Sequence, residues 1–333
     1  MPTVVTMGDT VVEICMQVSD AWDISPDVVA SGETTSAGGS AANFSAIAAA
    51  LGLRSLLVTD LGDDLFTDFL TSDLTGHGVD LSLARSHAGG NSMCIIMIGA
   101  DGDRRFVSFR APAHREQTVD SQTSTDRLGV ALAAADWLHV SGFWLQSDET
   151  ADIALYAASE ARRLNIPVSL DPSPQIMVDQ TPQLRRMLGI IDVIFPNAFE
   201  ARSYTGLSAA AESAAALHTS GIPTVVVTDG PAGAVLVDAS GEHAIEACAA
   251  DCIDTTGAGD ALAAGFVAAS LAGLPARTAL GEGIKAASLA IGKVGGHAAA
   301  HDIGAALGRS HPTGTIRDHI APTSSLRDEA PLT

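Results

Sequence analysis

Asp251-Cys252-Ile253-Asp254-Thr255-Thr256-Gly257-Ala258-Gly259-Asp260 leads straight into the Ala-rich run Ala261-Leu262-Ala263-Ala264-Gly265-Phe266. Small residues ahead of a helical run expose first-turn N–H groups, which have no acceptors inside the helix. With the aligned peptide dipoles behind them, these groups can hold a phosphate or a developing oxyanion. Gly257 and Gly259 remove side chains where an anion would approach the backbone, and Asp260 stands beside that anion as a candidate base. The same residues also read as a glycine turn with an acidic helix start and no chemistry. The rest of the chain has to decide between the two.

Outward from this segment, β-branched runs alternate with Ala-rich helical patterns. Val4–Met7, Leu56–Val58, Trp137–Val140, Val168–Leu170, Val193–Phe195 and Val225–Val227 read as strands. Helical patterns fall near 40–51, 64–75, 150–164, 198–204, 210–219, 259–272 and 278–292. This predicts an α/β fold with a doubly wound, mostly parallel sheet flanked by helices, and ligands at the carboxyl ends of its strands. Two segments, about 11–35 and 91–112, break the alternation. In the second, Met93–Ile98 and Arg104–Phe109 flank Ala100-Asp101-Gly102-Asp103 as a β-hairpin. Strands inserted there are expected to form a small β-sheet lid that covers a ligand or pairs with another subunit, the alternative being a surface hairpin without motion. The expected organisation is a single domain over 1–308 and a polar, flexible tail over 309–333, where Pro312, Pro322 and Pro331 sit among Thr, Ser and Asp.

The 333 residues carry a formal charge of -21, and Lys285 and Lys293 supply the only ammonium side chains, which argues against nucleic acid as a partner. Cys15, Cys94, Cys248 and Cys252 lack the Cys-x-x-Cys spacing of a zinc or dithiol site and read as buried free thiols in a reducing, cytoplasmic setting. Asp9 and Glu13 interrupt the first apolar stretch, so no secretory signal is expected. Elsewhere Gly and charged residues cut the apolar runs short of a membrane span, and no membrane partner is expected.

Three other segments join glycine or carboxamide chemistry to a helix start or tight turn. Ala37-Gly38-Gly39-Ser40-Ala41-Ala42-Asn43 reads as a polyol-binding turn or as an ordinary strand-to-helix loop. Asn197 and Glu200 lie three apart on one face of a first helical turn, where they suit hydrated Mg²⁺ or a plain helix cap. Thr228-Asp229-Gly230-Pro231-Ala232-Gly233 follows a strand and reads as a contact for nucleotide phosphates or as a hairpin turn.

In order and approximate spacing these four segments are similar to those of the ribokinase-like (PfkB) carbohydrate kinases, and the chain resembles that family from roughly Val4 to Ala300. The Asp254–Asp260 motif is the most specific of them. The resemblance implies a ribokinase-like fold and ATP-dependent phosphoryl transfer to a hydroxyl of a small sugar or sugar acid. It makes Asp260 the base and the amides of Gly257, Ala258 and Gly259 the anion hole. Asp9, Gly38, Gly39 and Asn43 match positions that hold the sugar. Asn197, Thr228, Gly230, Gly233, Thr256, Gly257 and Gly259 match nucleotide contacts, with Asn197 and Glu200 reaching Mg²⁺ through water and Ala286 to Gly296 on the adenine side. Gly295-Gly296-His297-Ala298-Ala299-Ala300 lacks the small polar stretch of K⁺-activated members, which argues against monovalent activation. Arg110, close behind Arg104 and Arg105, is a candidate for reading an anionic group on the substrate, and these arginines read equally as solvated strand residues or contacts across a dimer. A homodimer through the lid is the expected assembly. The alternatives are a nucleoside kinase of the same fold and a sugar-binding regulator without turnover.

Overall fold

The computed structural model of the chain describes residues 1–18, 29–99, 104–111 and 121–308. Among them, eight strands form one sheet in the spatial order Gly241–Ile245, Ala234–Asp238, Thr224–Thr228, Val193–Ile194, Val168–Asp171, Trp137–Ser141, Thr3–Met7 and Arg54–Val58. The strands from Thr224–Thr228 to Arg54–Val58 are parallel, and the first two form an antiparallel meander at one edge. The parallel strands coincide with the β-branched runs. In the edge meander, Ala234–Asp238 returns from Thr224–Thr228 as the hairpin reading of Thr228–Gly233 expects, whereas Gly-Glu-His-Ala-Ile carries too little apolar character to announce a strand.

Side chains along the parallel strands alternate between two cores, which is why these runs are apolar throughout. Val5, Leu138, Ile194, Val225 and Val227 enter one core with Ala154 and Leu155 of the helix Asp148–Arg163. Val4, Trp137, Val193 and Val226 enter the other with Phe44, Ile47, Leu262 and Phe266. Each large apolar side chain so buried contributes about 1.5–3 kcal/mol, and the sheet is held from both faces.

Helices at Ser40–Ala50, Thr67–Gly76, Asp148–Arg163, Ala198–Thr205, Ala210–Thr219, Ala258–Leu271 and Ala276–Ala290 fall close to the predicted windows. Pro174–Asp179 and Pro182–Leu188 lie outside those windows, although each places Pro at the first helical position behind a Ser or Thr. Ala258–Leu271 is buried on nearly every face and crosses Ala276–Ala290 backbone to backbone. A Cβ on Gly265 would lie 2.9 Å from the Gly283 Cα, and one on Gly283 would lie 2.6 Å from the Leu262 carbonyl oxygen.

The second, four-stranded sheet runs Ala30–Gly38, Val11–Val18, Ser92–Ile98 and Arg104–Phe109, parallel only at its central pair. Its hairpin pairs Met93 with Phe109 and Ile98 with Arg104. The hairpin turn 100–103, the segments 19–28 and 112–120, and the polar tail 309–333 lie outside the described residues. Phe106, Val107 and Phe109 are 57–59% exposed on this sheet. Among the described residues no helix is long and apolar enough to cross a membrane. The cysteines are free thiols, but only Cys15 is buried. Cys248 and Cys252 are exposed, because the segment after the last edge strand runs outside both cores.

Candidate active site

Adjacent parallel strands end in polar residues along one edge of the large sheet. In spatial order these are Thr228, Asn197 just beyond Ile194, Asp171, Ser141, and Asp9 just beyond Met7. The chain first steps from Thr3–Met7 to Arg54–Val58 on one side, then to Trp137–Ser141 on the other. The switch point, where sheets of this kind bind ligands, therefore lies between Asp9 and Ser141. Ser141 Oγ donates to Asp9 Oδ1 at 3.0 Å, and Arg110 Nη1 donates to Asp9 Oδ2 at 3.3 Å. The Arg110 guanidinium also lies 4.1 Å from the centre of the Phe143 ring.

Gly257 caps Ala258–Leu271 with a φ of 75°, in the left-handed region, and a Cβ there would collide with the Gly296 carbonyl. The N–H groups of the first turn have no acceptors within the helix. That of Ala258 leans on the Thr255 carbonyl at 3.3 Å, so Gly257 and Gly259 are better placed to serve an anion. Asp254 fixes the approach to this turn. One of its oxygens accepts from Thr256 N–H at 2.8 Å and the other from Gly295 N–H at 2.9 Å, tying the turn to the loop after Ala276–Ala290.

Asp260 sits three residues into this helix start and is only 7% exposed. Its Oδ2 accepts from Asn43 Nδ2 at 2.8 Å, and Asn43 Oδ1 faces His297 Nδ1 at 2.9 Å. The Asn43 carboxamide is thus engaged at both ends, with one N–H and one lone pair left for a ligand. Asp171 hydrogen-bonds Asp260 from the end of its own strand. Burial pushes Asp260 up to about 6, the Asn43 hydrogen bond pulling down and the Asp9 charge pushing up. Asp171 is pushed well above the usual carboxylate range by burial and then by the charges of Asp260 and Glu200. Two touching carboxyl groups share one proton. Here it rests on Asp171, which leaves Asp260 the carboxylate.

Glu13 closes the site from the small sheet. Burial, followed by the Asp260 charge, pushes it up to about 7, and a side chain at Gly38 would overrun its carboxyl group. Gly39 lies against the backbone of Asp9. At the other end of the edge, Asn197 and Glu200 form a reciprocal capping box. Asn197 N–H donates to Glu200 Oε2 at 2.9 Å and Glu200 N–H to Asn197 Oδ1 at 2.9 Å. Asn197 Nδ2 and Glu200 Oε1 remain outside the box. Burial pushes Glu200 up to about 7 against the Asn197 hydrogen bonds. Thr228 N–H donates to the Pro196 carbonyl at 3.0 Å, which sets Thr228 beside Asn197, and Gly230 and Gly233 turn the chain back into the antiparallel edge strand.

Asp171, Glu13, Ser141, His297 and Asp254 complete this arrangement without having been assigned roles from the sequence. Asp171 carries a readable signal, since it directly follows the apolar run Val168–Leu170 at the strand end where ligands gather. Carboxyl groups crowded until their protonation is forced upward are what a hard, oxygen-seeking cation relieves. Glu200, with Asn197 beside it, therefore fits Mg²⁺ held through its water shell.

A family model described as pfkB family carbohydrate kinase matches residues 1–303. A fructokinase of Klebsiella pneumoniae is 30% identical over 246 residues, covering 72% of this chain and 77% of that one. A 2-dehydro-3-deoxygluconokinase of Thermoproteus tenax is 27% identical over 263 residues, covering 76% and 79%. The structure of Arabidopsis thaliana ribokinase complexed with ribose and ATP shares the fold, with a TM-score of 0.77 over 92% of this chain and 98% of that one at 24% identity. With both sheets and the whole polar edge inside the matched span, the chain belongs to the pfkB family of carbohydrate kinases, phosphotransferases that act on an alcohol group.

Proposed function

We propose that the protein transfers the γ-phosphoryl group of ATP to a hydroxyl of a small, uncharged sugar. The observation that carries this reading is Asp260, held as a carboxylate by Asn43 and Asp171 at the helix start opened by Gly257. Asp260 accepts the hydroxyl proton as the O–P bond forms, because so weak a base cannot remove it beforehand. The N–H groups of Gly257 and Gly259 face the charge that spreads over the transferring group. Mg²⁺, when bound, supplies neutralisation of the phosphate charge, and Glu200 and Asn197 would hold it through its water shell. Thr228, Gly230, Gly233 and Thr256 serve the nucleotide end of the edge, while Asp9, Gly38, Gly39 and Asn43 serve the sugar end.

The charge around the sugar end favours a neutral acceptor over a sugar acid. Asp9, Glu13 and Asp260 converge there, and the Arg110 guanidinium is already paired with Asp9 and stacked on Phe143. A carboxylate on the substrate would meet more negative than positive charge. The small sheet begins and ends beside Asp9 and Gly39, so its closure excludes water from the transfer. Its exposed Val107 and Phe109 supply one face for pairing two copies, with Phe106 exposed on the other.

ADP release measured over a panel of neutral sugars, sugar acids and nucleosides tests the reading, with Asp260→Asn as the control. Turnover is expected with a neutral sugar and should fall by about 10²–10⁴-fold in the variant, with little change in sugar affinity. Turnover confined to sugar acids would overturn the acceptor class, and near-normal turnover of the variant would overturn the base.

A further inference from the structure

On the far side of Asn43 from Asp260, two pairs of side chains spaced four residues apart converge. Asp73 and His77 leave the end of the helix Thr67–Gly76, and His297 and His301 flank the start of the helix Ala300–Leu307. One potential ligand atom from each of Asp73, His77 and His297 lies within 4.8 Å of the other two. His297 Nε2 is 2.7 Å from Asp73 Oδ2. The His77 ring meets His297 edge-on at 4.9 Å between centroids, and the His301 ring stacks with His77 at 5.5 Å.

The hydrogen bonds already orient these rings as ligands. His297 Nδ1 faces Asn43 Oδ1 at 2.9 Å and His77 Nδ1 faces the Asp73 carbonyl oxygen at 2.9 Å. Both contacts call for a donor at Nδ1; His297 thereby presents Nε2 to Asp73, while His77 Nδ1 also lies 3.7 Å from Asp73 Oδ2. This is the outer hydrogen bond that fixes tautomer and ring orientation in metal-bound histidines. Burial works against ionisation of Asp73, but the His297 hydrogen bond and the nearby histidines hold its carboxyl below the usual range, as an anion.

We propose that Asp73, His77 and His297 bind one divalent transition-metal ion of the zinc class, with His301 in reach as a fourth ligand. Two or three imidazoles with one carboxylate form a donor set typical of such ions. Metal–nitrogen bonds of about 2.0–2.1 Å place ligand atoms roughly 3.3 Å apart in a tetrahedron. The present Asp73–His297 contact therefore opens by less than an ångström as the ion takes the place of the shared proton, which is released to solvent. The ion braces the loop of Gly295 and Gly296 against Thr67–Gly76 and leaves the His297–Asn43 hydrogen bond intact. The site does not depend on the identity of the phosphoryl acceptor.

The untagged full chain, in excess Mg²⁺ to occupy oxygen-lined sites, can be titrated with Co²⁺, and with Zn²⁺ against a chromogenic chelator, beside His77→Ala. His77 meets the candidate active site only through its ring contact with His297, so this variant leaves the Asn43–Asp260 hydrogen bond and the base in place. Expected are one ion per chain, the intense visible bands of four-coordinate Co²⁺ without thiolate charge transfer, and binding at least ~10-fold weaker in the variant. Thermal melts should show Zn²⁺ raising the midpoint of the natural protein and not of His77→Ala. Equal affinity in the two proteins, or cobalt bands of thiolate ligation pointing to Cys248 and Cys252, would overturn the assignment.

Discussion

As the proposed base, Asp260 must be ionised to accept a proton, and its neighbours set the pH at which that holds. With its carboxyl pushed up to about 6, kcat/KM should fall as pH drops through that region, well above the range of an ordinary aspartate. The Asn43 N–H stabilises the charged form, so Asn43→Ala should move this acid limb to higher pH. A profile unmoved by the substitution would detach Asn43 from the base. Asp260, Asn43, Asn197 and Thr228 were legible in the sequence because small or polar residues at helix starts and strand ends follow apolar runs. His297 was not, because its role comes from a partner 254 residues away, Asn43. Which strand end lies beside which helix start depends on the sheet order, which no single segment records.

At the scale of elements, the glycine turn before Ala258–Leu271 combines an anion site with a tight backbone crossing. Gly257→Ala would force an L-residue into the left-handed region, at about 1–2 kcal/mol, and would press a methyl group into the Gly296 carbonyl as well. Denaturant melts should therefore show a loss of at least about 1 kcal/mol, and the KM for ATP should rise as the amides shift. Unchanged stability and KM would mean that the turn adapts and the anion site lies elsewhere. The parallel strands and long helices were readable from composition alone, because burial on both sheet faces demands unbroken apolar runs. The outermost edge strand Gly241–Ile245 and the Pro-led helices were not, being short and held chiefly by their neighbours rather than by a pattern of their own.

For the whole molecule, the crowded acids make stability a function of pH. Glu13 and Glu200 are each raised from 4.5 to about 7, and Asp260 and Asp171 are raised as well. A carboxyl whose folded value is raised contributes stability that is present below its unfolded value and lost as pH climbs through the folded one. For Glu13 and Glu200 that loss is about 3 kcal/mol each, in order of magnitude. Asp73 acts in the opposite sense, its contribution lost as pH falls through its lowered folded value. Melting midpoints should therefore decline from pH 5 to pH 8, and Mg²⁺ with nucleotide should raise them more at pH 8 than at pH 5. A midpoint that rises with pH would contradict the electrostatics of the site. The contact between Gly265 and Gly283 bears on how this family member can change. With no side chain between the two backbones, there is no rotamer through which the helix bearing Asp260 can yield to a differently shaped acceptor. On the proposed function, accommodation falls instead on the small sheet, where acceptor preference can drift by substitution while Asp260 keeps its place.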